Sequence, residues 1–257
     1  MREGLKAFGF SILLLLVAAS HMATAFAEKV PTSTRQPVGC FVPDSVAWGG
    51  PIAGSVVGIP QHERDPIIVA FGSSSTAGAG ASSPQNGYVA QIRRALETQM
   101  DGLRIPIINA GVSGNTTADM LRRLKHDVLD RKPTVVIWQT GTNDALRQLP
   151  LESFRRDLRR GIADMTARRI RVILVDQQDF AAADTVKNYS DYVSVMQEVA
   201  HQENVTLLHR YRVMRYLALQ RRGGMDELLA KDRLHMSDVA HKCVGELLAD
   251  GIRRLIW

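Results

Sequence analysis

No apolar run in the chain is long enough to cross a bilayer, and cysteine is nearly missing. The longest run, Phe8 to Ala19, falls well short of the roughly 20 residues a span needs, and His21 interrupts its continuation. Two cysteines in 257 residues leave room for at most one disulfide. With no cysteine pair and no H-E-x-x-H stretch, a zinc site is disfavoured. A nucleic-acid motif, an internal repeat and a low-complexity tract are likewise missing. Hydrophobic residues at 45% and charged residues at 23% are ordinary globular values. They exclude a disordered chain, a collagen, a coiled coil and a polytopic membrane protein.

The N-terminus reads as an export signal in three parts. Arg2 and Lys6 form the charged region, Leu13 to Leu16 centre the apolar region, and Ala25-Phe26-Ala27 is an A-x-A site before Glu28. Cleavage after residue 27 leaves 230 residues and no stable membrane anchor. A lipid-modified start at Cys40 is disfavoured, because the preceding stretch from Thr32 to Pro37 is polar. The signal carries Arg2, Lys6 and Glu3, so its loss takes the net charge from +6 to a mild +5. The arginines cluster at 155, 156, 159, 160, 168, 169 and 171, while Phe154, Leu158, Ile162 and Met165 keep helical spacing. That pattern fits the solvated face of an amphipathic helix better than a patch for an acidic polymer.

Six of the ten prolines fall between Pro31 and Pro66, so residues 28–65 read as a Pro/Gly-rich arm. Residues 66–257 then alternate. Strands are predicted at 67–71, 105–110, 134–139, 172–176 and 205–209. Helices are predicted at 88–100, 117–129, 152–168, 186–201, 211–230 and 237–256. Such alternation implies a parallel sheet with helices on both faces, and chemistry at the carboxyl ends of the strands. Cys243 lies on a core-facing stripe with Ala240, Val244, Leu247 and Leu248. A bridge to Cys40, pinning the arm to the last helix, and a buried free thiol both remain open.

Polar or glycine-rich turns follow the strands. The first strand ends in Gly72-Ser73-Ser74-Ser75-Thr76-Ala77-Gly78, three serines and a threonine on a tight turn. Gly78-Ala79-Gly80-Ala81-Ser82-Ser83 lacks the third glycine of a dinucleotide loop, and no Lys-Ser or Lys-Thr follows to make a phosphate loop. No cofactor is expected. After the second strand comes Asn109 to Thr117 with Gly114, after the third Gly141-Thr142-Asn143-Asp144, and before the last helix Asp232-Arg233-Leu234-His235. Four such turns on one sheet edge are hard to credit to packing. An α/β-hydrolase elbow is disfavoured, since Thr76 stands where G-x-S-x-G needs its second glycine.

This combination resembles the SGNH hydrolases, also called the GDSL lipase and esterase family. The first block matches at Gly72 to Gly78 with Ser74 at the nucleophile, the second at Gly114, the third at Asn143, and the last at Asp232 and His235. The resemblance covers about Ile67 to Leu255. It implies a flavodoxin-like three-layer α/β/α sandwich with a central parallel sheet of about five strands. It also implies ester or thioester substrates, among them acetylated glycans, lipids and aryl esters. One position departs from the family: Ser73 stands where an aspartate usually precedes the nucleophile. That acid normally helps fix the turn rather than attack substrate, so a divergent subfamily is expected.

The chemistry assigns each residue a role. A serine hydroxyl needs a base within hydrogen-bond reach, and His235 supplies one near neutral pH. Asp232 would hold the other ring nitrogen. The oxyanion hole is expected from the backbone N–H groups of Ser74 and Gly114 and the side-chain amide of Asn143. Activity should fall as pH drops through about 6.5, the ordinary value for an imidazole. Residues 177–183, after the fourth strand, are expected to line the pocket, and Gln177 and Gln178 tilt the substrate towards a carbohydrate ester. The reading is an exported serine esterase, periplasmic or secreted, acting on a small-molecule, glycan or lipid ester. An acyltransferase on glycans and a non-catalytic glycan-binding protein are its alternatives.

Overall fold

Apolar runs too short for helices become the strands. The computed structural model describes residues 40–50, 66–100 and 105–256, and the expected signal 1–27 and most of the arm lie outside them. Ile68–Gly72 (β2) and Val135–Gln139 (β4) are buried at every position, as a strand covered on both faces must be. Ile107–Gly111 (β3), Arg171–Val175 (β5) and Thr206–Leu208 (β6) lie parallel to them. These are the five parallel strands the alternation predicts.

A sixth, short strand joins them. Asp44–Ala47 forms a one-turn helix (α1) leading into Trp48–Gly49 (β1), which pairs antiparallel with β6 and makes the sheet order β1-β6-β5-β4-β2-β3. So the described part of the expected arm, residues 40–50, belongs to the sheet edge. Three ties hold it. Cys40 is disulfide-bonded to Cys243, with Cα atoms 4.9 Å apart. Asp44 pairs with Arg254 at 2.6 Å. Trp48 packs so close to Gly251 that a Cβ there would come within 2.4 Å of its ring.

The remaining helices in chain order are Ser74–Ala77 (α2), Tyr88–Gln99 (α3), Thr117–Asp127 (α4), Thr142–Leu146 (α5), Leu151–Thr166 (α6), Tyr189–Gln202 (α7), Arg210–Leu219 (α8) and Asp238–Ile256 (α9). Helix α3 packs on α9, while α4, α6 and α7 pack in succession. This is the three-layer α/β/α sandwich. Phe154, Leu158, Ile162 and Met165 of α6 are buried and Arg156, Arg159 and Arg160 exposed, as the helical spacing requires. None of the described helices is long and apolar enough to cross a membrane.

The topology decides where a site can form. Strand β2 comes first among the parallel strands and has β3 on one side and β4 on the other, so the chain leaves it in opposite directions. In an open α/β sheet the crevice at this switch point is where ligands bind. The turn carrying Ser74 stands there, flanked by the loops after β3 and β4.

Candidate active site

Ser74 is half-buried between Ser73 and Ser75, which are both buried. It is the first residue of α2, so its backbone N–H has no acceptor within the helix. The neighbouring hydroxyls are all engaged. Ser73 Oγ and Thr76 Oγ1 each donate to Gln139 Oε1 at 3.1 Å, and Ser75 Oγ donates to Gln178 Oε1 at 2.8 Å. Only the hydroxyl of Ser74 meets an imidazole: its oxygen lies 2.8 Å from His235 Nε2.

The loop before α9 presents that imidazole. Asp232 Oδ1 accepts the backbone N–H groups of Leu234 and His235 at 3.0 and 2.9 Å, closing a tight turn. Its Oδ2 lies 2.6 Å from His235 Nδ1. Burial pushes the Asp232 carboxyl up, but the His235 ring and the two backbone donors outweigh it and hold the group below its ordinary value. Asp232 is therefore ionised at neutral pH and fixes the tautomer whose Nε2 can accept a proton. Gly80 lets this loop approach: a Cβ at that position would lie 2.3 Å from Met236 O and 2.7 Å from His235 Cβ.

Gly114 and Asn143 complete the constellation. Gly114 follows β3 with φ +79°, and a Cβ there would meet only Arg147 Nη2, at 3.7 Å. Within the protein its requirement is thus conformational rather than steric. Asn143 in α5 donates one amide hydrogen to Asn115 O at 2.9 Å and lies in the lining of the cleft. Ser74, Gly114, Asn143 and His235 line one cleft of about 270 Å³ with Ala79, Ser113, Thr142, Leu146, Gln178 and Leu234. All five residues expected at the site are thus gathered, Asp232 behind His235.

Two expectations are corrected. Of residues 177–183 only Gln178 lines the cleft. It is buried and spends its amide inside the protein, taking Ser75 Oγ and donating Nε2 to Leu234 O at 2.9 Å, while Gln177 is wholly buried. These glutamines say nothing about a sugar. Sequence reasoning also passed over Gln139 and over Arg123 of α4. Arg123 donates to Gly72 O and Ala110 O at 2.8 Å each and to Asn115 Oδ1 at 2.7 Å, tying the ends of β2 and β3 to the Gly114 loop. The one available signal was a glutamine closing an otherwise apolar strand, since a buried amide must find partners. Among the described residues no group of three or more His, Cys, Asp or Glu is arranged to hold a metal ion.

Known proteins share this framework. The lipase/acylhydrolase of Enterococcus faecalis superposes with a TM-score of 0.63 at 30% identity, over 73% of this chain and 95% of that one. Esterase TesA of Pseudomonas aeruginosa is 26% identical over 182 residues, 70% of this chain and 85% of that protein. An acetylxylan esterase of Geobacillus stearothermophilus is 40% identical over 65 residues, 25% of this chain and 30% of that protein. The lipoprotein YqeF of Bacillus subtilis is 40% identical over 78 residues, 30% of this chain and 32% of that protein. The chain therefore matches about a third of the length of these last two. Residues 40–256 match the model of the Non-GDSL lipase-like family, and the chain belongs to that family of SGNH-type hydrolases.

Proposed function

We propose that this ester-hydrolysing enzyme works through an acyl-enzyme on Ser74. The observation that carries the reading is the unbroken line Ser74 Oγ, His235, Asp232, with 2.8 and 2.6 Å between successive partners. His235 Nε2 takes the hydroxyl proton as Ser74 Oγ attacks the acyl carbon, and Asp232 stabilises the imidazolium. The oxyanion is met by the N–H groups of Ser74 and Gly114 and the free amide hydrogen of Asn143. The tetrahedral adduct collapses as His235 returns the proton to the leaving alcohol. Water then repeats the cycle on the acyl-enzyme and releases the acid.

The cleft supports a short acyl group. Its volume of about 270 Å³ is small, and Ala79, Leu146 and Leu234 supply apolar wall near Ser74. Acetyl esters of glycans fit such a cleft, an assignment in keeping with the acetylxylan esterase among the relatives. Export through the signal 1–27, with residues 66–257 carrying the chemistry, belongs to the same proposal. A transferase passing the acyl group to a sugar would use the same residues, and adding an acceptor sugar separates the two by product.

The test is a panel of p-nitrophenyl esters of increasing acyl length, with acetylated xylan and mannan alongside. Wild type should prefer acetyl over octanoyl, and His235→Ala should lose about 10⁴-fold or more in kcat. Comparable turnover by His235→Ala would end the acyl-enzyme reading, and a preference for octanoyl would end the short-acyl one.

A further inference from the structure

The nucleophile turn is held by an unusual partner. Gln139 is the last residue of β4 and is wholly buried, in the middle of the sheet beneath the turn. Its Oε1 receives three donors at 3.1 Å: the backbone N–H of Ser73, the hydroxyl of Ser73 and the hydroxyl of Thr76. Thr76 Oγ1 is bonded in turn to Tyr88 OH at 2.7 Å, and Asn109 Nδ2 donates to Thr76 O at 2.8 Å. Both residues bonded to Gln139 lie within two positions of Ser74, one on either side, so the direction of the Ser74 side chain depends on this oxygen. Gln139 Nε2, by contrast, is buried with no protein partner, so the acceptor end of the amide is the one in use.

We propose that Gln139 is a positioning residue for the Ser74 nucleophile, a neutral acceptor on the strand that fixes the turn in place of an acid at residue 73. The proposal rests on the reading of Ser74 as nucleophile. Its physical basis is charge and hydrogen-bond parity. Ser73 is 1% exposed, and its hydroxyl supplies a proton to Gln139 Oε1. An ionised carboxylate there would bring two acceptors together with no proton between them. The amide could answer only by turning Nε2 toward residue 73, which would leave the Ser73 N–H and the Thr76 hydroxyl without their acceptor. Serine at 73 and glutamine at 139 thus suit one another, and an acid restored at 73 alone does not suit this strand.

The experiment compares kcat and KM for acetyl ester hydrolysis in wild type, Gln139→Leu, Gln139→Glu, Ser73→Ala and Ser73→Asp. Rates are normalised to active sites titrated with a fluorophosphonate, and Ser74→Ala serves as the floor. Gln139→Leu should lower kcat about 10- to 100-fold with KM within about twofold, since a misdirected nucleophile slows chemistry without emptying the cleft. Gln139→Glu, which keeps an acceptor oxygen at the same reach, should recover most of the loss. Ser73→Ala should stay within about threefold of wild type, because the backbone donor and Thr76 remain, whereas Ser73→Asp should fall by about tenfold or more. A Gln139→Leu enzyme with wild-type kcat per titrated site, or a Ser73→Asp enzyme as fast as wild type, would overturn the proposal. If Gln139→Leu does not fold, Ser73→Asp still decides. Activity in Ser74→Ala would count against the nucleophile itself and not against Gln139.

Discussion

At the scale of single residues, the division of labour among donors makes sharp predictions. Asn143 spends one amide hydrogen on Asn115 O, and the proposed oxyanion contact takes the other. Asn143→Ala should cost about 10²- to 10³-fold in kcat with little change in KM. A loss of KM alone would make Asn143 a ground-state contact. Asp232→Asn keeps the shape of the turn and removes the charge that its hydrogen bonds maintain. A drop in kcat of about 10⁴-fold, with unchanged folding by circular dichroism, is expected from a wrongly oriented imidazole. The candidate residues Ser74, Gly114, Asn143, Asp232 and His235 were legible through the resemblance to the SGNH hydrolases, whose short motifs fall beside turns after a strand or before a helix. The tie of Gln139 to Ser73, the bond of Gln178 to Ser75 and the bond of Arg123 to Gly72 were not. The partners lie 66, 103 and 51 positions away, and no local pattern marks a long-range hydrogen bond.

Among elements, α4 does more than cover the sheet. Its start is fixed by Thr116 and Asp119 in a reciprocal cap, and its second turn carries Arg123 over the Phe71 ring, 4.4 Å from the centroid. Through three acceptors this one side chain holds the ends of β2 and β3 and the Gly114 loop in register. Arg123→Met should lower stability by about 2–3 kcal/mol and reduce kcat more than KM; Arg123→Lys should not restore the loss, since a point charge cannot span a planar fork. Full activity in Arg123→Met would show that the Gly114 loop holds its own conformation. The predicted parallel strands and five of the six predicted helices agree with the observed elements within a few residues, because periodicity reports them; the helix expected at 211–230 instead ends at Leu219, ahead of Gly223 and Gly224, the latter at φ +59°. Strand β1 escaped notice because two residues in a proline- and glycine-rich stretch have no period to show.

For the molecule as a whole, stability is tied to a bridge and to buried titratable groups. The Cys40–Cys243 disulfide joins residues 203 positions apart and holds the β1 edge to α9. Cys40→Ser should cost about 2–5 kcal/mol, and reductant should lower the Tm of wild type alone. Burial pushes the Asp144 carboxyl up to about 6 against the pull of its Thr117 hydrogen bonds. With the folded value above the unfolded one, this group's contribution is complete below about pH 4 and lost as pH rises through about 6. His241 has the opposite sign. Burial holds it below its ordinary 6.5, so its contribution is present above that pH and lost on acidification. Asp144→Asn should therefore gain on wild type by up to roughly 3 kcal/mol between pH 4 and 7 in urea titrations. A difference that does not vary with pH would mean that Asp144 does not titrate there. One oxygen among three neighbouring serines stands against His235. Mass spectrometry after fluorophosphonate treatment should find a single adduct on Ser74 that is lost in His235→Ala. An adduct on Ser73 or Ser75, or none on an enzyme turning over acetyl esters, would contradict the acyl-enzyme on Ser74.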